Sequence, residues 1–223
     1  MTATSLDAQT VPARCFGDGD PLYEEYHDTE WGVPVHGESA LLERLALEGF
    51  QSGLAWITVL RKREAFRSAF AGFDAEKVAA YGPDDVERLL QDASIIRNRQ
   101  KIEATITNAR ALVALHDAGG SLDELVWSFA PEPRATRPAS WTEVPPKTPE
   151  SLALSKALKK AGFVFVGPVT AYATMQACGL VDDHLATCPV VLARRRGQRR
   201  DPSRDRLTPP RRPGRTTRFR QKG

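Results

Sequence analysis

The stretch from Thr148 to Gly179 constrains the fold more than any other part of the chain, because helix starts and stops follow one another there at short intervals. Thr148-Pro149 pairs a side-chain acceptor for the first free N–H groups with a proline whose φ already suits a first helical turn. The helix it opens passes through Ala157-Leu158-Lys159-Lys160 and ends at Gly162, since a residue without Cβ can leave a helix through the left-handed region. Gly162-Phe163-Val164-Phe165-Val166-Gly167 reads as a tight hairpin, and Pro168 starts a second helix that runs to Gly179.

The rest of the chain keeps the helical period. Leu41, Leu42, Leu45 and Leu47 make an apolar stripe leading to Phe50 in a helix that begins near Glu38. A second helix reads continuously from Trp56 to Phe66, with Ile57, Leu60 and Phe66 near one face. Asp74 and Asp84 stand where caps belong, and Ser121 to Glu124 has capping-box spacing ahead of Trp127. The longest element runs from about Asn98 to Ala118 and stops at Gly119-Gly120. Residues 130–149 are rich in proline and read as a surface loop. No stretch alternates with period two over the length of a strand, so the expected fold is all-α.

A hairpin between two helices can bind a DNA phosphate through the unpaired N–H groups at the second helix start, without reading sequence. Lys159 and Lys160 would add charge there, and Gly162 and Gly167 would permit the tight turn. A plain α-hairpin with no ligand reads equally well from these residues. Phe163, Val164 and Phe165 are expected to anchor the loop in the core in either case.

Charge is unevenly divided. From Val190 to Gly223 there are 13 Lys and Arg against 2 Asp and Glu, a net of +11, while residues 1–189 carry 18 against 26, a net of −8. The body is therefore acidic, and DNA contact by it would rest on local patches and helix ends. The tail is Arg- and Pro-rich with almost no apolar content and reads as disordered, either a source of phosphate affinity or an unselected extension. Residues 1–12 are small and polar, read as a disordered leader and lack the build of a secretory signal. No apolar run is long enough to cross a bilayer. A cytoplasmic monomer without membrane contact is expected.

Three cysteines, Cys15, Cys178 and Cys188, are too few for a disulfide framework and point to metal binding or core positions. Cys15 and His27 lie near one end of the body, His184 and Cys188 near the other. On a helix, the spacing of the second pair would put both side chains on one face. Two thiolates and two imidazoles would close a tetrahedral zinc site with no place for water, which makes it structural and argues against a zinc hydrolase. From spacing alone, His27 as a surface residue and Cys188 as an ordinary thiol stay open. Cys178 reads as core.

Three stretches go beyond spacing. They are Asp20-Pro21-Leu22-Tyr23-Glu24-Glu25-Tyr26-His27-Asp28-Thr29-Glu30-Trp31-Gly32, the run from Leu47 through Glu48-Gly49-Phe50-Gln51-Ser52-Gly53-Leu54-Ala55-Trp56 to Leu60, and Phe163–Gly167 with Met175–His184. In this order they closely resemble the 3-methyladenine DNA glycosylase I family of bacterial repair enzymes, over roughly Arg14 to Cys188. The resemblance implies a helix-hairpin-helix glycosylase, with residues 13–189 as two helical lobes sharing one cleft. It would act on double-stranded DNA containing alkylated adenine. The family's structural zinc ligands fall on Cys15, His27, His184 and Cys188, and its base-recognition residues on Glu48, Tyr26 and Trp56.

The implied chemistry is self-consistent. Alkylation at N3 makes adenine a cation and a good leaving group, so the protein needs to flip and hold it more than to protonate it. Trp56 would offer a π-face, Glu48 an acceptor for the exocyclic amine, and Tyr26 a hydrogen bond or second wall. As plain residues, Trp56 would be core and Glu48 a solvated helix position. Gln51, Gly53 and Leu54 are expected at the DNA, with Leu54 or a neighbour plugging the gap left by the flipped base.

The family usually carries a tryptophan two residues after its first zinc cysteine. Here the chain reads Cys15-Phe16-Gly17, with one residue fewer before Asp20-Pro21, so Phe16, with Trp31, is expected to serve as that wall. Asp182 falls where related helix-hairpin-helix glycosylases carry an acid that stabilises the sugar cation; the other reading is a cap beside a zinc ligand. No lysine there is placed to attack the sugar, so no lyase step is expected. The alternative to an enzyme is a zinc-containing module that binds damaged DNA without chemistry.

Overall fold

The computed structural model describes residues 14–190, and the expected leader and most of the expected tail lie outside the described residues. Within them every regular element is a helix, as expected. The chain runs α1 (Pro21–Thr29), α2 (Glu38–Gln51), α3 (Trp56–Leu60), α4 (Arg63–Ala69), α5 (Ala75–Ala79), α6 (Pro83–Gln91), α7 (Arg99–Asp117), α8 (Leu122–Trp127), α9 (Pro149–Lys160) and α10 (Pro168–Ala177), with single 3₁₀ turns at Ala71–Phe73 and Trp141–Glu143.

The starts follow from local chemistry. Asp20, Asp74, Asn98, Ser121 and Thr148 each accept a backbone N–H from the first turn they precede. Asp84 is not a cap: Pro83 takes the first helical position, and Asp85 instead reaches back to the N–H of Gly82 at 3.1 Å. At α8 a distant residue completes the cap, since Glu38 accepts from the N–H groups of Leu122 and Asp123 at 3.0 and 3.1 Å.

The helix expected from Trp56 to Phe66 is broken in two. Lys62 leaves helical geometry (φ −104°, ψ 2°), and its ammonium donates to the carbonyl oxygens of Ala93 and Ser94. The bend lets Phe66 turn inward against Phe50, ring centroids 4.5 Å apart.

α9 ends in a Schellman turn: Gly162 sits at φ +94°, its N–H donates to Lys159 O, and the N–H of Phe163 donates to Leu158 O at 2.9 Å. The hairpin that follows differs from expectation. Gly167 has extended backbone, and the left-handed residue is Phe165 at φ +57°. Phe163 and Val166 are buried, whereas Val164 and Phe165 are exposed, because Asn108 of α7 grips both backbone groups of Val164, at 2.8 and 3.1 Å, and holds the hairpin tip outward.

α2 is the central element. It is buried along nearly its whole length and packs on α3, α5, α7, α8 and α10 within one continuous apolar core. After α10, Gly179 (φ +73°) turns the chain where a Cβ would stand 2.6 Å from the backbone of Val33 and Pro34. Only glycine allows the segment after α1 to lie there, fixed by Gly32 N–H to Gln176 O and Val35 N–H to Cys178 O, both 3.1 Å. The two ends of the fold meet at this contact.

Candidate active site

A cavity of about 140 Å³ opens beside α2. An apolar cavity of about 150 Å³ takes up a benzene ring, so this one suits a flat ring system entering from solvent. Its walls come from elements far apart in sequence: Tyr23 and Tyr26 from α1, Glu48 and Gln51 from the last turn of α2, and Trp56 from the first position of α3. Phe16, Trp31, Trp141, Ala173 and Gln176 complete it. The break between α2 and α3 lets Glu48 and Trp56 share the space, because the turn at 52–55 rotates Trp56 back towards the end of α2. Tyr26 and Trp56 pack with ring centroids 5.3 Å apart. Phe16 lies 5.1 Å from Trp31, edge to face. The indole N–H of Trp56 is buried and without a partner.

Glu48 is the unusual group. It is 6% exposed, no hydrogen bond reaches its carboxyl among the described residues, and burial pushes its pKa up to about 8, against the opposing pull of Arg44 one turn earlier. Arg44 does not neutralise it, because Arg44 is paired with Glu30 at 2.8 Å. Glu30 also binds Arg63, and although burial would raise its pKa, the two guanidinium groups outweigh this and hold it near 2. Burial and the nearby Glu48 raise the Tyr26 phenol, so it stays a neutral donor. A desolvated carboxyl without a partner, ringed by aromatic faces, defines a pocket for a flat ring that carries positive charge and an N–H donor.

On the far side of Phe16 lies a second cluster. One ligand atom each from Cys15, His27 and Cys188 lie within 4.8 Å of one another, and all three residues are buried. His184 sits beside them, its ring 5.1 Å from that of His27, with a buried Nε2 that has no hydrogen-bond partner. Each histidine gives its Nδ1 to a carboxylate, His27 to Asp28 at 2.8 Å and His184 to Asp182 at 2.9 Å. This arrangement orients metal-binding imidazoles and leaves Nε2 for the ion. Burial lowers the His27 pKa and favours the neutral, ligating form, while it pushes the Cys15 thiol up to about 12, a cost that a cation would remove. The donor set fits a divalent metal. His184 and Cys188 do not lie on a helix, as the spacing had suggested. They sit in the loop after Gly179, where Asp182 also accepts the backbone N–H of His184.

Asp182 does not line the aromatic cavity. It borders a separate cavity of about 320 Å³ with Arg134, Arg137 and Thr148, and its carboxylate is committed to His184 and Arg137.

Of the residues expected at DNA, Gln51 reaches the cavity, while Gly53 (φ +82°) and Leu54 (42% exposed) form the turn at its edge. Lys101 pins that turn by donating to the carbonyl oxygens of Phe50 and Ser52 at 2.7 and 2.6 Å. Lys159 and Lys160 are exposed ahead of Gly162. The hairpin lies against α2, with Phe165 3.9 Å from where a Cβ on Gly49 would stand. Sequence reasoning had not singled out Trp141, Tyr23, Gln176, Lys101 or Asn108. Tyr23 and Gln176 lie in stretches that carry the resemblance, and Trp141 is an isolated large aromatic in a proline-rich loop, whereas Lys101 and Asn108 carried no visible signal.

These features define a helical protein with a base-sized aromatic pocket and a separate cysteine–histidine cluster, and the comparisons make the class particular. The methyladenine glycosylase family model matches residues 16–191, and the chain belongs to that family. It is 54% identical over 170 residues to the DNA-3-methyladenine glycosylase 1 of Escherichia coli (strain K12), covering 76% of this chain and 91% of that protein. It is 47% identical over 181 residues to the DNA-3-methyladenine glycosylase of Haemophilus influenzae (strain Rd), covering 80% and 98%. A crystal structure of a 3-methyladenine DNA glycosylase I superposes with a TM-score of 0.75 at 52% identity, covering 79% of this chain and 98% of the other. The Staphylococcus aureus 3-methyladenine DNA glycosylase I, whose solved structure concerns 3-methyladenine recognition, superposes with a TM-score of 0.75 at 38% identity, covering 79% and 94%.

Proposed function

We propose that this protein is a base-excision repair glycosylase that turns 3-methyladenine out of alkylated double-stranded DNA and releases it by hydrolysis. The observation that carries the reading is Glu48, a carboxyl buried without a partner in an aromatic cavity. Methylation at N3 gives the ring a positive charge and a weakened bond to the sugar. Beside such a cation the pKa of Glu48 falls again, since an opposite charge favours the ionised form. The carboxylate then accepts the exocyclic amine in a charge-assisted hydrogen bond, which neutral adenine would make more weakly. Trp56 and Tyr26 stack on the ring.

In the reaction, the bond between the sugar C1′ and the base nitrogen breaks, and its electron pair neutralises the departing ring. Water adds its oxygen to C1′ and gives a proton to solvent. No strand-cleaving step is proposed. The helix-hairpin-helix element at 149–177 would hold a phosphate near Gly162 and Gly167, with Lys159 and Lys160 adding charge. Leu54, with Gln51 and Gly53, would fill the gap in the stack.

Cys15, His27, His184 and Cys188 would hold one zinc ion, which supplies a closed structural staple. The unpartnered Nε2 of His184 supports the fourth ligand, and Asp28 and Asp182 orient the two imidazoles.

The test follows base release from a duplex carrying 3-methyladenine, by chromatography, for the native chain and for Glu48→Gln. Free base and an intact abasic strand are expected from the native chain, and much slower release from the variant. Tight binding without release would overturn the reading.

A further inference from the structure

Two residues after Cys15, where the family it resembles usually carries a tryptophan, this chain has Gly17. Gly17 lies at φ +92°, where a Cβ would stand 3.1 Å from the backbone carbonyl group of Tyr23, so a side chain on this backbone path would be strained. Trp141, on a loop 126 residues after Cys15, lines the cavity that holds Glu48, Tyr26 and Trp56. Its indole N–H donates to the carbonyl oxygen of Cys15 at 2.9 Å. Its ring lies 6.4 Å from Phe16 and 6.1 Å from Trp31. The loop is held as well, because the N–H of Ala186 donates to Pro138 O at 2.9 Å and Glu143 accepts the N–H of Ala139 at 2.9 Å. Yet Trp141 is 42% exposed. A large aromatic side chain fixed in place, but left half uncovered at the mouth of an aromatic cavity, has an open face for a ligand ring.

We propose that Trp141 is a base-contacting residue of this chain, a stacking wall at the mouth of the cavity on the side of Cys15. The inference rests on the reading of the cavity as the base pocket. Phe16 and Trp31, expected to form this wall, line the cavity beside Trp141, and the Phe16 ring also lies 4.8 Å from that of His27.

The experiment titrates free 3-methyladenine into the full-length chain and its variants, by calorimetry and by quenching of tryptophan emission. Trp141→Ala is expected to weaken binding about tenfold, the loss of one ring–base stack, and Trp141→Phe to stay within about threefold of the native chain. Quenching by the base should shrink in Trp141→Phe even where affinity holds, a signature that a purely structural role would not produce. Melting temperature and metal content are followed for each variant; should Trp141→Ala fail to fold, the quenching difference in Trp141→Phe decides. Unchanged affinity in Trp141→Ala, or unchanged quenching in Trp141→Phe, overturns the proposal while leaving the pocket intact if Glu48→Gln still loses binding. If Glu48→Gln also binds normally, the reading of the cavity itself falls.

Discussion

Glu48→Gln separates the electrostatics of the pocket from its shape, because the amide keeps the volume and removes the titration. The carboxyl is pushed from 4.5 to about 8 by burial, while the charged and titratable groups facing it are Arg44, engaged with Glu30, and Tyr23, Tyr26 and Cys178, which are neutral at pH 7. A folded-state pKa above the unfolded value means that folding favours the protonated form. The contribution is complete below about pH 4.5, declines as pH rises, and is gone above about pH 8. At about 1.4 kcal/mol per pH unit the loss is at most about 5 kcal/mol. The cavity opens to water, so a range of about 2 to 5 kcal/mol is reasonable, or about 5 to 15 °C in melting temperature for a body of this size. Thermal melts of the native chain and the variant, without ligand, at pH 5, 6, 7 and 8 in constant salt would measure it. The variant should gain on the native chain steadily across that window. Excision of the cationic base by the variant should fall, by about 10- to 100-fold at pH 7, for a charge-assisted bond worth about 1.5 to 3 kcal/mol. A melting difference that stays flat from pH 5 to pH 8 would refute the claim that the carboxyl is desolvated.

Two further outcomes follow from the geometry. Stripping the metal with a chelator, or His184→Ala, should lower the melting temperature by about 10 °C, since the cluster joins the two ends of a domain that also has its own core. Elemental analysis should find one zinc per chain, and fully stable protein without metal would count against the site. Leu54→Ala should slow excision from duplex DNA by about tenfold, the cost of losing a wedge that offsets a few kcal/mol of unstacking, while leaving affinity for the free base unchanged. Equal excision rates would remove Leu54 from the DNA contact.

Much of the helical framework can be read residue by residue, because its causes are local. Caps at Asp74, Asn98, Ser121 and Thr148 depend on a side chain and the next three N–H groups, and Gly162 on the one conformation that only it takes cheaply. The failures have distant causes. The helix from Trp56 breaks because Lys62 is drawn to carbonyl groups 31 and 32 residues away, and the hairpin tip stays in solvent because Asn108 grips Val164 across 56 residues. The pocket was legible only in part. Glu48, Tyr26 and Trp56 were named through family resemblance, since they stand on three separate helices whose relative placement no local spacing fixes.

What the amino-acid order determined by itself was an all-helical body, the pair of helices joined by a tight turn at 149–177, and the residue types found in the cysteine–histidine cluster and the aromatic pocket. Tertiary structure alone decided which of these meet. It placed Trp141 over Cys15, joined both ends of the fold at Gly179, and left Glu48 buried without a partner. The physical reason is range. Caps and turns are settled within a few residues, but desolvation and ring stacking depend on whatever the folded chain brings alongside.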